Sequence, residues 1–242
     1  MSNSFNEIIQ NGLDPIESGS YCIDVAIPMD ATGSMSPIIE EVKSNAVNFC
    51  HRFHEAMEAT GKSVSKLRIK VIPFRDYKAD GSKAMDESPF FELPEQNEEF
   101  KSYVDGISAM GGGDEPENSL EALSLAMRSD WTTEGAKRRH VIPLFTDASA
   151  HPLQSPACMK NPLYPEDMPA DLAELGDRWN GIGQDGMPEP NAARLVLFTP
   201  NVKPWCDMQT WNNVWVSFSQ AGTGLNEVDM DMAIQLLVNS VK

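Results

Sequence analysis

The chain is poor in cysteine and in cations, and it holds no long apolar run. Its four cysteines, Cys22, Cys50, Cys158 and Cys206, lie far apart and form no C-x-x-C pair. That spacing signals neither a zinc site nor a disulfide framework, so the thiols read as reduced and mostly buried. Lys and Arg number 19 against 36 Asp and Glu, a formal charge of −17. Such a surplus repels phosphate backbones and anionic headgroups, which sets nucleic acid and membrane surfaces aside as partners. No window approaches the apolar length of a membrane span, and the opening residues MSNSFNEIIQNGLDPIESGS lack the basic-then-apolar order of a secretory leader. A cytoplasmic protein is expected. The glycine-lysine loop that cradles nucleotide phosphates and the serine elbow of esterases are also missing from the sequence.

What is present suffices for one domain. At 242 residues, with 41% hydrophobic and 23% charged, the chain can bury a full sheet between two helical layers. Residues 1 to about 19 are polar and read as a tail or lid, leaving a domain over 20–242. Short β-branched runs begin at Tyr21, Leu67, Phe90, His140, Arg194 and Val214, and Asp24 is the one discordant residue of the first. Between them, apolar residues recur at three-to-four spacing from about Pro37 to Ala59, around Phe100 to Ile107, from Leu120 to Met127, and from about Glu227 to Val241. A Pro- and Gly-rich insertion at about 148–193 carries one helical segment near Leu172 to Trp179, and such length points to function or mobility. Alternating strands and helices imply an α/β, Rossmann-like open sheet, mostly parallel, with helices on both faces. Ligands of such folds sit beyond the carboxyl ends of the strands.

Those ends are where oxygen ligands gather. Asp30, Thr32 and Ser34 stand on alternate residues after the first strand, so a tight loop can turn all three oxygens toward one point. Capping of the following helix is an equally good reading of these three alone. Asp147 follows the fourth strand, and Asp114, Glu115 and Glu117 flank Pro116 after the glycines 111–113. All three loops belong at the same sheet edge. Few carboxylates with neutral hydroxyls suit a hard divalent cation, Mg²⁺ first, with Mn²⁺ or Ca²⁺ as alternatives.

Asp30-Ala31-Thr32-Gly33-Ser34 and Thr146-Asp147 resemble the first and third loops of the metal-ion-dependent adhesion site of the von Willebrand factor A family. Thr32 replaces the first Ser of the family pattern and keeps a hydroxyl. The second loop, 111–117, is similar instead to the Asp-x-Pro-Glu loop of integrin β-subunit I-like domains. The resemblance implies a metal site of Asp30, Thr32, Ser34, Asp114, Glu117 and Asp147, in which Glu117 approaches the ion directly or through water and Asp114 either joins it or shapes the loop. It further implies a non-enzymatic module that engages an acidic residue of a partner protein, similar in kind to cytosolic prokaryotic members. Ser36 and Pro37 stand where the integrin pattern places carboxylates for an adjacent second ion, so none is expected there.

Other residues are weighed more plainly. Arg75 and Asp76 read as an exposed pair, or Asp76 as a partner of the Thr32 hydroxyl or of a metal-bound water. His151 reads as solvent-exposed, and His51 and His54 as helix-surface residues. Trp131, Trp179, Trp205, Trp211 and Trp215 read mainly as packing residues, with Trp179 and Trp205 the two that are candidates to anchor a partner. Two rival functions remain. A phosphatase-like hydrolase would use Asp30 as nucleophile, but the residue two later is Thr32 rather than an acid. A scaffold that needs no metal would recruit through the 148–193 insertion.

Overall fold

A computed structural model describes residues 19–111 and 115–241; the polar segment 1–18, Gly112, Gly113 and Asp114 lie outside the described residues. Six strands form one sheet: β1 (Tyr21–Asp30), β2 (Val64–Phe74), β3 (Phe91–Leu93), β4 (Lys137–Phe145), β5 (Ala193–Pro200) and β6 (Val214–Ser219). Their order is β3-β2-β1-β4-β5-β6, with every pair parallel except β2 and β3. The order reverses between β1 and β4, the place where doubly wound sheets open a crevice for ligands.

Side-chain alternation divides the core. On one face Ile23, Val25, Ile27 and Met29 of β1 join Val141, Phe145, Val196 and Phe198. This face is covered by α1 (Ser36–Glu58), α2 (Asn97–Asp105) and α6 (Met230–Ser240). On the other, Ala26, Ile142, Leu144, Leu195 and Leu197 meet α3 (Ser119–Met127), α4 (Leu172–Trp179) and the single turn α5 (Trp205–Met208). Each fully buried aliphatic or aromatic side chain contributes roughly 2 kcal/mol before chain entropy is set against it. Pro37 stands in the first turn of α1, where its missing N–H costs nothing. Asp171 and Asp229 cap α4 and α6, accepting from the backbone N–H of Glu174 and Met232. Among the described residues no helix is long and apolar enough to cross a membrane.

The 148–193 insertion is built into the core rather than hung outside it. Leu153, Leu175, Trp179 and Met187 are buried in the second cluster. Trp179 and Trp205 are 2% and 0% exposed, and their indole N–H groups donate to Asn212 O and Ala148 O. Neither is available to anchor a partner; both hold the insertion and the segment after β5 against the sheet. Three of the four thiols are buried and all are free. His51 is exposed, while His54 is partly covered and its Nδ1 lies 2.8 Å from Cys50 O.

Asp24, discordant in β1, is fully buried. It accepts a two-pronged bond from Arg68, with Nε at 2.8 Å from Oδ1, and its Oδ2 also accepts from the Thr132 N–H. A buried carboxylate persists only when paired in this way. Asp24→Ala strands both the guanidinium and the amide, and is expected to cost about 2–4 kcal/mol of unfolding free energy. Urea denaturation with an unchanged slope would measure it, and a loss within the range of an ordinary surface substitution would refute the assignment.

Candidate functional site

β1 ends in Asp30, whose carboxylate is wholly buried. Its Oδ1 accepts from the Thr32 N–H at 2.9 Å and from the Thr32 hydroxyl at 2.6 Å. Its Oδ2 accepts from the Thr146 hydroxyl at 2.7 Å. Ser34 donates to Asp147 Oδ1 at 3.0 Å, and the Thr32 and Ser34 hydroxyl oxygens are 3.4 Å apart. These residues do not cap α1. Met35 stands at its N-cap, and no side chain caps either it or the short turn before it.

A fourth loop, after β6, completes Asp147. Its Oδ2 accepts from Gly224 N at 2.7 Å and its backbone carbonyl from Gly222 N at 2.8 Å. Gly224 has φ +65°, and a Cβ there would fall 2.2 Å from Ser34 O. Only glycine both adopts this conformation cheaply and admits the first loop so closely. The sequence reading did not reach this loop.

Glu117 enters from the segment before α3. Its N–H donates to Ser149 O at 3.0 Å and its carbonyl accepts from His151 N at 2.8 Å, an isolated bridge that sets it beside the loop after β4. The side chain is 3% exposed, and Oε2 has no hydrogen-bond partner among the described residues. Thr32, Ser34, Glu117 and Asp147 line a cleft of about 200 Å³. Of the residues expected from the sequence, Asp30, Thr32, Ser34, Glu117 and Asp147 therefore share one end of the sheet, while Asp114 lies outside the described residues.

Electrostatically the cleft is strained. Burial pushes the Glu117 carboxyl up to about 9, helped by the negative fields of Asp30, Asp76, Asp80 and Asp147. Burial also raises Asp30 to about 6, against the lowering effect of the Thr32 and Thr146 hydrogen bonds. The nearby cation is Arg75, which is 8% exposed. Its guanidinium is committed to backbone carbonyls: Nε to Ala31 O and Met110 O, Nη1 to Lys83 O and Nη2 to Ser108 O. Arg75 thus pins the first loop to the second and, among the described residues, makes no hydrogen bond to a carboxylate. Burial lowers its pKa from the ordinary guanidinium value, while Asp80, Asp30 and Glu117 oppose that shift.

The exposed Arg75–Asp76 pair expected from sequence does not exist. Asp76 is buried, and His151 Nε2 lies 3.2 Å from its Oδ1. His151, expected in solvent, is 9% exposed. The Thr32 hydroxyl turns to Asp30 and not to Asp76.

The fold and site define a doubly wound α/β domain with serine, threonine and acidic oxygens gathered at its switch point. Residues 24–157, more than half of the chain, match the family model of the von Willebrand factor A domain, and the chain belongs to that family. The alpha-protein kinase vwkA of Dictyostelium discoideum is 28% identical over 132 residues, 54% of this chain and 19% of that protein. The chain thus corresponds to about a fifth of that relative's length. The pilus adhesin SpaC of Lactobacillus rhamnosus GG shares the fold, with TM-score 0.55 and 8% identity over 93% of this chain and 31% of its own. Its open conformation gives a TM-score of 0.51 at 10% identity.

In chelator, both raised carboxyls make the native state bind more protons than the unfolded chain, so its stability falls as pH rises. For Asp30 the loss accrues between 3.8 and about 6, and for Glu117 between 4.5 and about 9. Melting temperature in chelator is expected to decline steadily across that window, and Glu117→Gln is expected to flatten the decline above pH 6. A melting temperature that rose with pH would contradict the assignment.

Proposed function

We propose that this chain is a non-enzymatic protein-binding module, its domain spanning 20–242, that holds one divalent cation and through it engages an acidic residue of a partner protein. The observation that carries the reading is Glu117, a buried carboxylate with an unpartnered oxygen that lines a small cleft with Asp147 and lies in the negative field of Asp147 and the buried Asp30. Such a group is costly without a counter-charge. The donors present fit a hard ion, being oxygens throughout, and Mg²⁺ suits them best, with Mn²⁺ or Ca²⁺ as alternatives.

The hydrogen bonds suggest how the work is divided. Thr32 and Ser34 spend their protons on Asp30 and Asp147, which leaves their oxygen lone pairs for an ion. With Glu117 Oε2 they would form the direct grip. Asp30 and Asp147 would orient the hydroxyls, and Thr146 and Gly224 would hold those two carboxylates in turn. Asp114 is a further ligand candidate by family resemblance. A bound cation would supply a Lewis-acidic position for a partner's carboxylate oxygen. Glu117 adds negative charge relative to a hydroxyl ligand, favouring retention of the ion while softening its pull on an acidic partner.

The hydrolase alternative requires Asp30 to attack. Its two oxygens already accept three hydrogen bonds and the residue is fully buried, so no substrate phosphorus can approach it. The kinase in the name of the Dictyostelium relative describes a protein of which the matched segment is about a fifth; we assign no phosphoryl transfer to this cleft.

Affinity capture of partners with Mg²⁺ present, repeated in chelator, tests the proposal. Partner recovery is expected to fall at least tenfold in chelator and similarly for Asp30→Ala with Mg²⁺. Recovery unchanged by both would overturn it in favour of a metal-independent scaffold.

A further inference from the structure

A second cluster lies beside the first, and none of its three residues lines the cleft. Asp76, from the turn after β2, is 1% exposed; His151 is 9% and Cys158 0% exposed. One ligand atom from each lies within 4.8 Å of the others. His151 Nε2 is 3.2 Å from Asp76 Oδ1, yet the two are out of hydrogen-bonding line, so this buried nitrogen has no hydrogen-bond partner among the described residues. Cys158 Sγ is 4.0 Å from the same carboxylate oxygen, at the limit of a thiol hydrogen bond. Glu121, whose Oε1 accepts from the Tyr164 hydroxyl at 2.7 Å, adds its negative field to the burial that pushes the Cys158 thiol up.

Three side chains of different softness, with one ligand atom of each within 4.8 Å of the others and the imidazole Nε2 without a hydrogen-bond partner among the described residues, form a donor set for a borderline transition ion. Carboxylate with imidazole and thiolate matches Zn²⁺ far better than Mg²⁺, which avoids sulfur and nitrogen. One carboxylate and one thiolate neutralise a dication, with the thiol proton displaced on binding. Another reading of Cys, His and Asp together is a nucleophilic triad. Full burial of Cys158 denies it a substrate.

We propose that Asp76, His151 and Cys158 form a Zn²⁺-type site, with a fourth position for water, that ties the start of the 148–193 insertion to the turn after β2. The surrounding contacts already run between these two segments. Asn161 donates to Tyr77 O at 3.0 Å and to Gly81 O at 2.8 Å, and the rings of Tyr77 and Tyr164 meet edge to face. The ion would fasten the same seam. It requires no occupancy of the cleft at Asp30, and so stands or falls separately from the proposed partner-binding site.

The test is Co²⁺ titration of the purified full chain under reducing conditions, followed by competition with Zn²⁺. A sulfur-to-cobalt charge-transfer band is expected to saturate at one ion and to be displaced by Zn²⁺. Cys158→Ser should abolish the band, and His151→Gln should weaken cobalt affinity at least tenfold. Cys206→Ser and Asp30→Ala should leave both intact, which separates this site from a surface thiol and from the all-oxygen cleft. Circular dichroism checks that each variant is folded; should Cys158→Ser fail that check, His151→Gln carries the decision. No thiolate band in the folded wild-type chain, or a band indifferent to both substitutions, overturns the proposal.

Discussion

Three buried carboxylates at one end of a sheet constrain nearly everything around them. Asp30, Glu117 and Asp147 come from segments far apart in sequence, and they repel one another in a region with little water. The fold's response is to surround two of them with donors. Asp30 takes three hydrogen bonds from Thr32 and Thr146, and Asp147 takes one from Ser34 and one from the Gly224 amide. Glu117 is left with an unpartnered oxygen. That inequality makes the cleft a place for something positive rather than a satisfied polar core.

The same constraint explains Arg75. A buried guanidinium near three carboxylates would ordinarily pair with one of them. Here it bonds backbone carbonyls of the first and second loops, so it fixes their spacing while leaving the carboxylates facing the cleft. Positive potential is supplied nearby without filling the position that the hydroxyls and Glu117 surround. Gly222 and Gly224 act comparably from the far side, bringing backbone N–H groups to Asp147, and at Gly224 a side chain would collide with Ser34.

The sheet and its two helical layers were legible in the sequence because β-branched runs and three-to-four periodicity are local signals. The strand-end rule then placed Asp30, Thr32, Ser34, Glu117 and Asp147 at one edge. What escaped were relations that depend on long-range approach. Thr146 looked like a neighbour of Asp147 and turned out to be a donor to Asp30, 116 residues away. Gly224 carries no chemistry of its own to read. Arg75, Asp76 and His151 sit in polar stretches that suggest solvent, yet tertiary contacts bury all three. Cysteine spacing gave no sign that Cys158 meets Asp76 and His151, because three ligands drawn from two loops leave no local motif.

On the proposed reading Glu117 ligates the cation through its unpartnered oxygen, and because burial and the neighbouring negative fields raise its pKa to about 9, binding near neutral pH must displace a proton. Calorimetric titration with Mg²⁺ in buffers of different ionisation enthalpy counts the protons released on binding. Near neutral pH the count is expected to approach one per ion, and to vanish above about pH 9, where the Glu117 carboxyl has already lost its proton. Glu117→Gln should remove the release. Mg²⁺ binding with no proton released at neutral pH, or no binding at all, would contradict the account.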